Sequence, residues 1–295
     1  MSGWSLRDRA FLITGGARGI GAATAHALHA RGARLALVDL DEAALEETAT
    51  ALQAQAITAD VTDLEAMQEA TERAVAGLGG LDVVWANAGI ATFGPIAMTD
   101  PEAFARTVEV NLLGAFRTVR PALAHVQARR GYIAFTASAA TFSHAPGMGA
   151  YAATKAGVEA LANALRTEVA PSGVDVGTIH PIWIDTDMVR EADATATTFR
   201  RMRESLPGPL RTTHAVSKAV NAIVRGFERR SRRVFVPEWV RVLHWTRAAI
   251  HTPLAERQVV RDVPEVLATF EREAREKGPD EVAWSERTRD VLRGG

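Results

Sequence analysis

Seven short apolar runs recur along the chain, at 10–14, 34–38, 54–59, 82–86, 132–136, 174–179 and 234–236. They are rich in Val, Ile and Leu and largely lack the polar alternation of half-buried strands, so they are predicted to be strands covered on both faces. The longer stretches between them carry helix starts. Asp63 opens a segment ending near Gly77, and Asp100 followed by Pro101 supplies an N-cap and first-turn proline for a helix through Asn111 toward Arg129. An irregularity is expected at Pro121, which lacks the N–H that a helix interior needs. This alternation predicts an α/β fold: a doubly wound, mostly parallel seven-stranded sheet with helices on both faces and a ligand crevice at the carboxyl ends of the strands.

The pattern stops after Val236, which suggests a principal domain over 1–237 and a helical extension over 238–295, packed on that domain or on a partner subunit. Within the extension, Trp239, Val242, Leu243 and Ala249 are expected on one helix face, with Arg241 and Arg247 turned away. Tryptophans beside arginines also suit peripheral contact with a membrane surface, although packing on protein is the commoner use of such a face.

Composition removes several classes of chemistry. The chain of 295 residues has no cysteine, so disulfides, thiolate nucleophiles and cysteine-bearing zinc sites are excluded. No grouping of His, Asp and Glu has metal-ligand spacing, and no metal is expected. The N-terminal stretch has charges where a signal peptide needs an apolar run, and no apolar run is long enough to span a bilayer. A cytoplasmic location is the expectation. The net charge of −1 hides an asymmetry, with 20 basic against 13 acidic residues from Arg200 onward and 14 against 22 before it. In the basic part glutamates are interleaved with the arginines on helical segments, which marks a solvated face, and no nucleic-acid partner is expected.

The first strand runs into "TGGARGIG", placing Gly15, Gly19 and Gly21 between a strand and a helix. Glycines there admit a pyrophosphate close to the backbone, and the helix N-terminus attracts it. Asp39 ends the second strand, where an acid hydrogen-bonds the ribose hydroxyls of NAD and repels the extra phosphate of NADP. Asp39 or Asp41 could instead cap the next helix, and Arg18 keeps NADP open.

Further motifs follow in order: "DV" at 60–61, "NAG" at 87–89, Asn111, Ser138, "YAATK" at 151–155 and "PIWIDT" at 181–186. Together with the glycine turn they resemble the short-chain dehydrogenase/reductase family over about residues 6–237. The resemblance implies a Rossmann-type fold, a nicotinamide dinucleotide, and interconversion of an alcohol and a ketone by hydride transfer. Tyr151 and Lys155 lie one helical turn apart, and an ammonium beside a phenol favours the phenolate, so Tyr151 can serve as general acid or base. The resemblance implies that Ser138 hydrogen-bonds the substrate oxygen, that Lys155 also holds the nicotinamide ribose, and that Asn111 supports a proton-relaying water. It further assigns Ile20, Asp60, Val61, Asn87, Ala88, Gly89, Pro181, Ile184 and Thr186 to the cofactor site, with Asn87 chiefly a brace. Ile182 stands where the family usually has glycine.

By the same resemblance the substrate lies beside Tyr151 under a cover running from Asp187 to about Thr212. Candidate walls are Phe93, Ala140, Phe142, His144, Met148, Trp183, Met188 and Phe199, a mostly apolar set that suits a small hydrophobic alcohol or ketone. His144 could touch substrate, or bond backbone as loop histidines more often do. Family members commonly form homo-oligomers, so a dimer or tetramer is expected. An NADPH-dependent reductase and a dinucleotide-binding regulatory protein without turnover are the alternatives.

Overall fold

The structure is a computed structural model that describes residues 3–206 and 208–278. Pro207 of the expected cover and residues 279–295 of the expected extension lie outside the described residues.

The strands are β1 (Ala10–Thr14), β2 (Arg34–Asp39), β3 (Gln55–Thr58), β4 (Val83–Ala86), β5 (Tyr132–Thr136), β6 (Asp175–Pro181) and β7 (Arg233–Val236). They form one sheet in the order β3-β2-β1-β4-β5-β6-β7, and every pairing is parallel. All seven expected strands are present, β1 and β5 with the expected ends and the others with an end shifted by one or two residues.

Alternate residues of each central strand feed separate cores. Leu12, Val84 and Phe135 enter one layer with Met67, Val119 and Ala162, whereas Phe11, Ile13 and Trp85 enter the other with Leu28, Leu45 and Phe227. The first layer is closed by α3 (Leu64–Leu78), α4 (Pro101–Val108), α5 (Gly114–Ala128) and α6 (Gly149–Val169). The second is closed by α1 (Gly19–His29), α2 (Glu42–Leu52) and α9 (Val216–Glu228). Burial on both faces is why these strands read as unbroken apolar runs. The chain winds outward in opposite directions from β1 and β4, so the crevice between their carboxyl ends lies at the switch point.

Asp41, Asp63 and Asp100 each accept backbone N–H groups from the first turn of the helix they open. Helix α5 continues through Pro121, and the irregularity lies instead in a π-helical turn at Glu109–Leu113. A helical proline removes one hydrogen bond, whereas the side chain of Asn111 is tied to Ile90 and Thr154, and those ties favour the widened turn at this point.

After β6 the chain forms α7 (Asp187–Thr195) and α8 (Thr197–Ser205), and after β7 it forms α10 (Val240–Ile250) and α11 (Pro253–Lys277). Helix α10 turns Val240, Leu243 and His244 inward, a spacing of three and four residues, against Phe142, Phe235 and Ile182. Contrary to expectation, Val242 and Ala249 are exposed, and Arg247 reaches the buried Glu159 at 3.4 Å. The His244 ring lies 5.1 Å from that of Phe142 and 5.7 Å from that of Phe235. Among the described residues no helix is long and apolar enough to cross a membrane.

Candidate active site

One cleft of about 340 Å³ runs across the carboxyl ends of β1, β2, β4, β5 and β6, within the size range of small-molecule sites. At one end the glycine turn forms its floor. Gly15 and Gly19 have φ of 67° and 57°, a region costly to other residues. A Cβ on Gly21 would fall on the carbonyl oxygen of Gly15, and one on Gly15 would lie 2.9 Å from the Cα of Ala88. Helix α1 starts here without a side-chain cap, so its first amides face the cleft as anion donors.

Asp39 lies at the edge of this floor. One carboxylate oxygen accepts the Ala17 N–H at 3.0 Å, and the other accepts those of Leu40 and Asp41 at 2.9 and 3.3 Å. The cap of α2 is Asp41, which also pairs with Arg18 at 2.6 Å. Asp60 pairs with Arg106 at 3.2 Å, and its carboxyl is held below the usual range: burial works to raise it, and hydrogen bonds from Thr62 and the Arg106 guanidinium outweigh that effect.

Asn87 braces the sheet centre. Its side-chain nitrogen donates to the carbonyls of Thr14 and Gly15 at 3.1 and 3.2 Å, and its oxygen accepts the Thr136 hydroxyl at 3.0 Å. These bonds tie β1, β4 and β5 together beneath the cleft.

Ser138 follows β5, and Tyr151 and Lys155 project from the first turns of α6. The Ser138 hydroxyl accepts the Ala140 N–H at 3.1 Å and donates to the Pro181 carbonyl at 3.4 Å, and it faces the same cleft as the Tyr151 phenol. Lys155 is buried, donates to the Thr136 carbonyl at 2.9 Å, and has its Nζ 5.6 Å from the Tyr151 ring centre. Burial lowers the Lys155 ammonium to about 8, so it stays mostly charged at neutral pH. The phenol behaves differently from the expectation. Burial raises its pKa, and the nearby Ser138 hydroxyl only partly counters that; the Lys155 ammonium bonds the Thr136 carbonyl instead of the phenol.

Asn111 sits behind this group. It donates to the Ile90 carbonyl at 2.9 Å and to the Thr154 hydroxyl at 3.1 Å, and it accepts the Ile90 N–H at 2.8 Å. Thr154 in turn donates to the Tyr151 carbonyl at 2.8 Å. A Cβ on Gly89 would stand 3.0 Å from Asn111 Oδ1 and 3.2 Å from Lys155 Nζ, so glycine keeps the space between the two open.

Every residue expected at the cofactor lines the cleft, from Gly15, Arg18, Gly19, Ile20 and Gly21 through Asp60, Val61, Ala88 and Gly89 to Pro181, Ile184 and Thr186. At the other end Ala140, Met148, Trp183, Met188 and Phe199 form the walls, with Leu206 and Leu210. Three expected walls lie elsewhere. Phe93 is packed behind Phe199, Phe142 is fully buried against His180 and His244, and His144 stacks on His251 at 4.6 Å. Helix α10 draws Phe142 and its neighbours away from the cleft. Ile182 lines the cleft and packs against the cluster of Ala139, Phe142 and Val240, and its N–H bonds the Val236 carbonyl at 2.9 Å.

Sequence reading missed Arg106, Thr154 and His180. Arg106 meets Asp60 across 46 residues, and no local spacing marks such a pair. His180 lies under Ser138, with Nδ1 3.3 Å from its carbonyl oxygen and Nε2 2.8 Å from the Thr178 hydroxyl. Burial pushes its pKa down to about 3, so it is neutral.

The arrangement can hold a dinucleotide along the glycine turn and move a proton at Tyr151. Residues 9–197 match the family described as short chain dehydrogenase. The chain is 34% identical over 233 residues to (-)-trans-carveol dehydrogenase of Rhodococcus erythropolis, an alignment covering 72% of this chain and 83% of that enzyme. It is 33% identical to cis-4-hydroxycyclohexanecarboxylate dehydrogenase of Sinomonas cyclohexanicum, covering 76% and 86%. The structure of 3-ketoacyl-(acyl-carrier-protein) reductase from Brucella melitensis, complexed with NADH, superposes with a TM-score of 0.71 at 26% identity, covering 79% of this chain and 98% of that one. The chain therefore belongs to the short-chain dehydrogenase family of oxidoreductases.

Proposed function

We propose that the protein interconverts a hydrophobic secondary alcohol and its ketone with NAD(H), with Tyr151 as the proton-transferring residue. The observation that carries this reading is the convergence of Ser138, Tyr151 and Lys155 in one cleft, between a glycine-lined anion floor and an apolar end built from Ala140, Met148, Trp183, Met188 and Phe199. Two relatives act on ring-borne hydroxyls by name, one of them on a ring that also carries a carboxylate, which supports a ring-bearing alcohol or ketone.

The glycine floor and the open amides of α1 fit a pyrophosphate, and Asp39 fits ribose hydroxyls. When bound, the nicotinamide supplies or accepts the hydride. The protein's own groups handle the proton. Ser138 would orient the substrate oxygen against the Tyr151 hydroxyl, and the protonated phenol favoured by burial is the donor to a ketone oxygen. In the oxidative direction the developing phenolate is stabilised by the Ser138 hydroxyl and the Lys155 charge. Asn111, through Thr154, fixes the turn of α6 that bears Tyr151.

A carboxylate at Asp39 repels a 2′-phosphate, and Arg18 is engaged by Asp41, so NAD is preferred over NADP. We further propose a cytoplasmic homo-oligomer, with the exposed Phe116 on α5 as a candidate contact.

Tyr151→Phe tests the assignment. It should lower turnover of apolar secondary alcohols by about 10²- to 10⁴-fold, the range for losing a general acid–base group, with NADH affinity unchanged. Retention of most of the turnover would remove Tyr151 from the mechanism.

A further inference from the structure

Helix α8 supplies Phe199 to the cleft, yet its own sequence does not secure its start. Its N-cap position is Ala196, which offers no side-chain acceptor. The missing acceptor comes from α11. The Glu273 carboxylate accepts the N–H groups of Thr197 and Thr198 at 2.9 and 2.8 Å, together with the Thr198 hydroxyl. Glu273 is buried, and a carboxylate at a helix N-terminus both satisfies its open amides and complements its dipole. One and two turns earlier on the same face, Phe270 and Val266 are buried with Phe199 and Met202. The Phe199 ring is wedged edge-on between Trp183 at 5.6 Å and Phe93 at 5.5 Å, and Phe93 meets Phe270 at 6.0 Å. On the outer side Arg201 donates to Thr269 at 3.2 Å. The residues that α11 contributes, Val266, Thr269, Phe270 and Glu273, lie beyond residues 9–197, the part that matches the family.

We propose that Glu273 is a positioning residue for the substrate: it clamps α8 across the cleft, so that α11 sets how large an alcohol or ketone the Phe199 wall admits. The size-selecting role rests on the cleft being the alcohol and ketone site. The clamp itself does not.

The test compares wild type with Glu273→Ala and Glu273→Gln by hydrogen exchange, NADH titration, and kcat and KM for a small and a bulky apolar ketone. In Glu273→Ala, exchange over 196–206 should rise about 2- to 30-fold, the range for losing a helix N-cap. NADH affinity and exchange in β1–β6 should stay unchanged. The kcat/KM ratio of bulky to small ketone should shift by about tenfold, mainly through KM, and Glu273→Gln, which keeps one acceptor oxygen, should lie between. Unchanged exchange over 196–206, an unchanged size ratio, or a loss that spreads to β1–β6 together with NADH binding would overturn the proposal. If the wild type turned over no ketone, the functional reading would fail on its own, and the exchange measurement would still decide the clamp.

Discussion

Replacing Lys155 by methionine removes an ammonium that is 3% exposed while keeping a chain of similar length. Burial depresses the folded-state pKa from 10.5 to about 8, which corresponds to about 3 kcal/mol against the charged form. Because the folded value lies below the unfolded one, the penalty is full below about pH 8 and is lifted as pH rises toward 10.5. Between pH 7 and 9.5 the wild type should therefore gain about 2 kcal/mol of unfolding free energy relative to Lys155→Met. Urea denaturation of both proteins across that interval, followed by circular dichroism, measures the difference and cancels groups common to the two. Parallel pH profiles would show that Lys155 is better solvated or better paired than its 2.9 Å bond to the Thr136 carbonyl implies. A profile rising in the opposite direction would mean that the charge is stabilised in the fold.

Two further substitutions probe the cofactor floor and the core. Asp39→Ala should reduce the preference for NAD over NADP by about 10- to 150-fold, the value of a charge-assisted hydrogen bond, read from NADH and NADPH dissociation constants; an unchanged ratio would shift attention to Arg18. Phe227→Ala should cost about 3–5 kcal/mol in chemical denaturation, since the ring is buried with edge contacts to Phe11, Trp85 and Tyr132; a loss under 1 kcal/mol would mean that the layer under β1 and β4 repacks.

The sheet was legible because its central strands are buried on both faces and so read as apolar runs with no competing period. The glycine turn, Asp39 and the Tyr151–Lys155 pair were legible because their chemistry depends on spacing within one strand-to-helix turn or one helical turn. Contacts across the fold were not. The π turn at Asn111 depends on Ile90 and Thr154, and Arg106 depends on Asp60. Glu273 acts on Thr198 from 75 residues away. Phe142 and His144 sit close to Ser138 in sequence, which suggested the pocket, but α10 and His251 hold them on the other side. The phenol of Tyr151 shows the same limit: a pair at helical spacing says that two groups are neighbours, and their burial decides which way the pKa moves.

The most direct measurement is titration of the purified protein with NADH and NADPH by fluorescence, followed by a panel of apolar secondary alcohols and ketones at saturating cofactor. Tighter binding of NADH, with turnover of at least one panel member, is the expected result. Absence of binding to either dinucleotide would contradict the cofactor floor, and tight NADH binding with no turnover across the panel would contradict the apolar alcohol and ketone assignment.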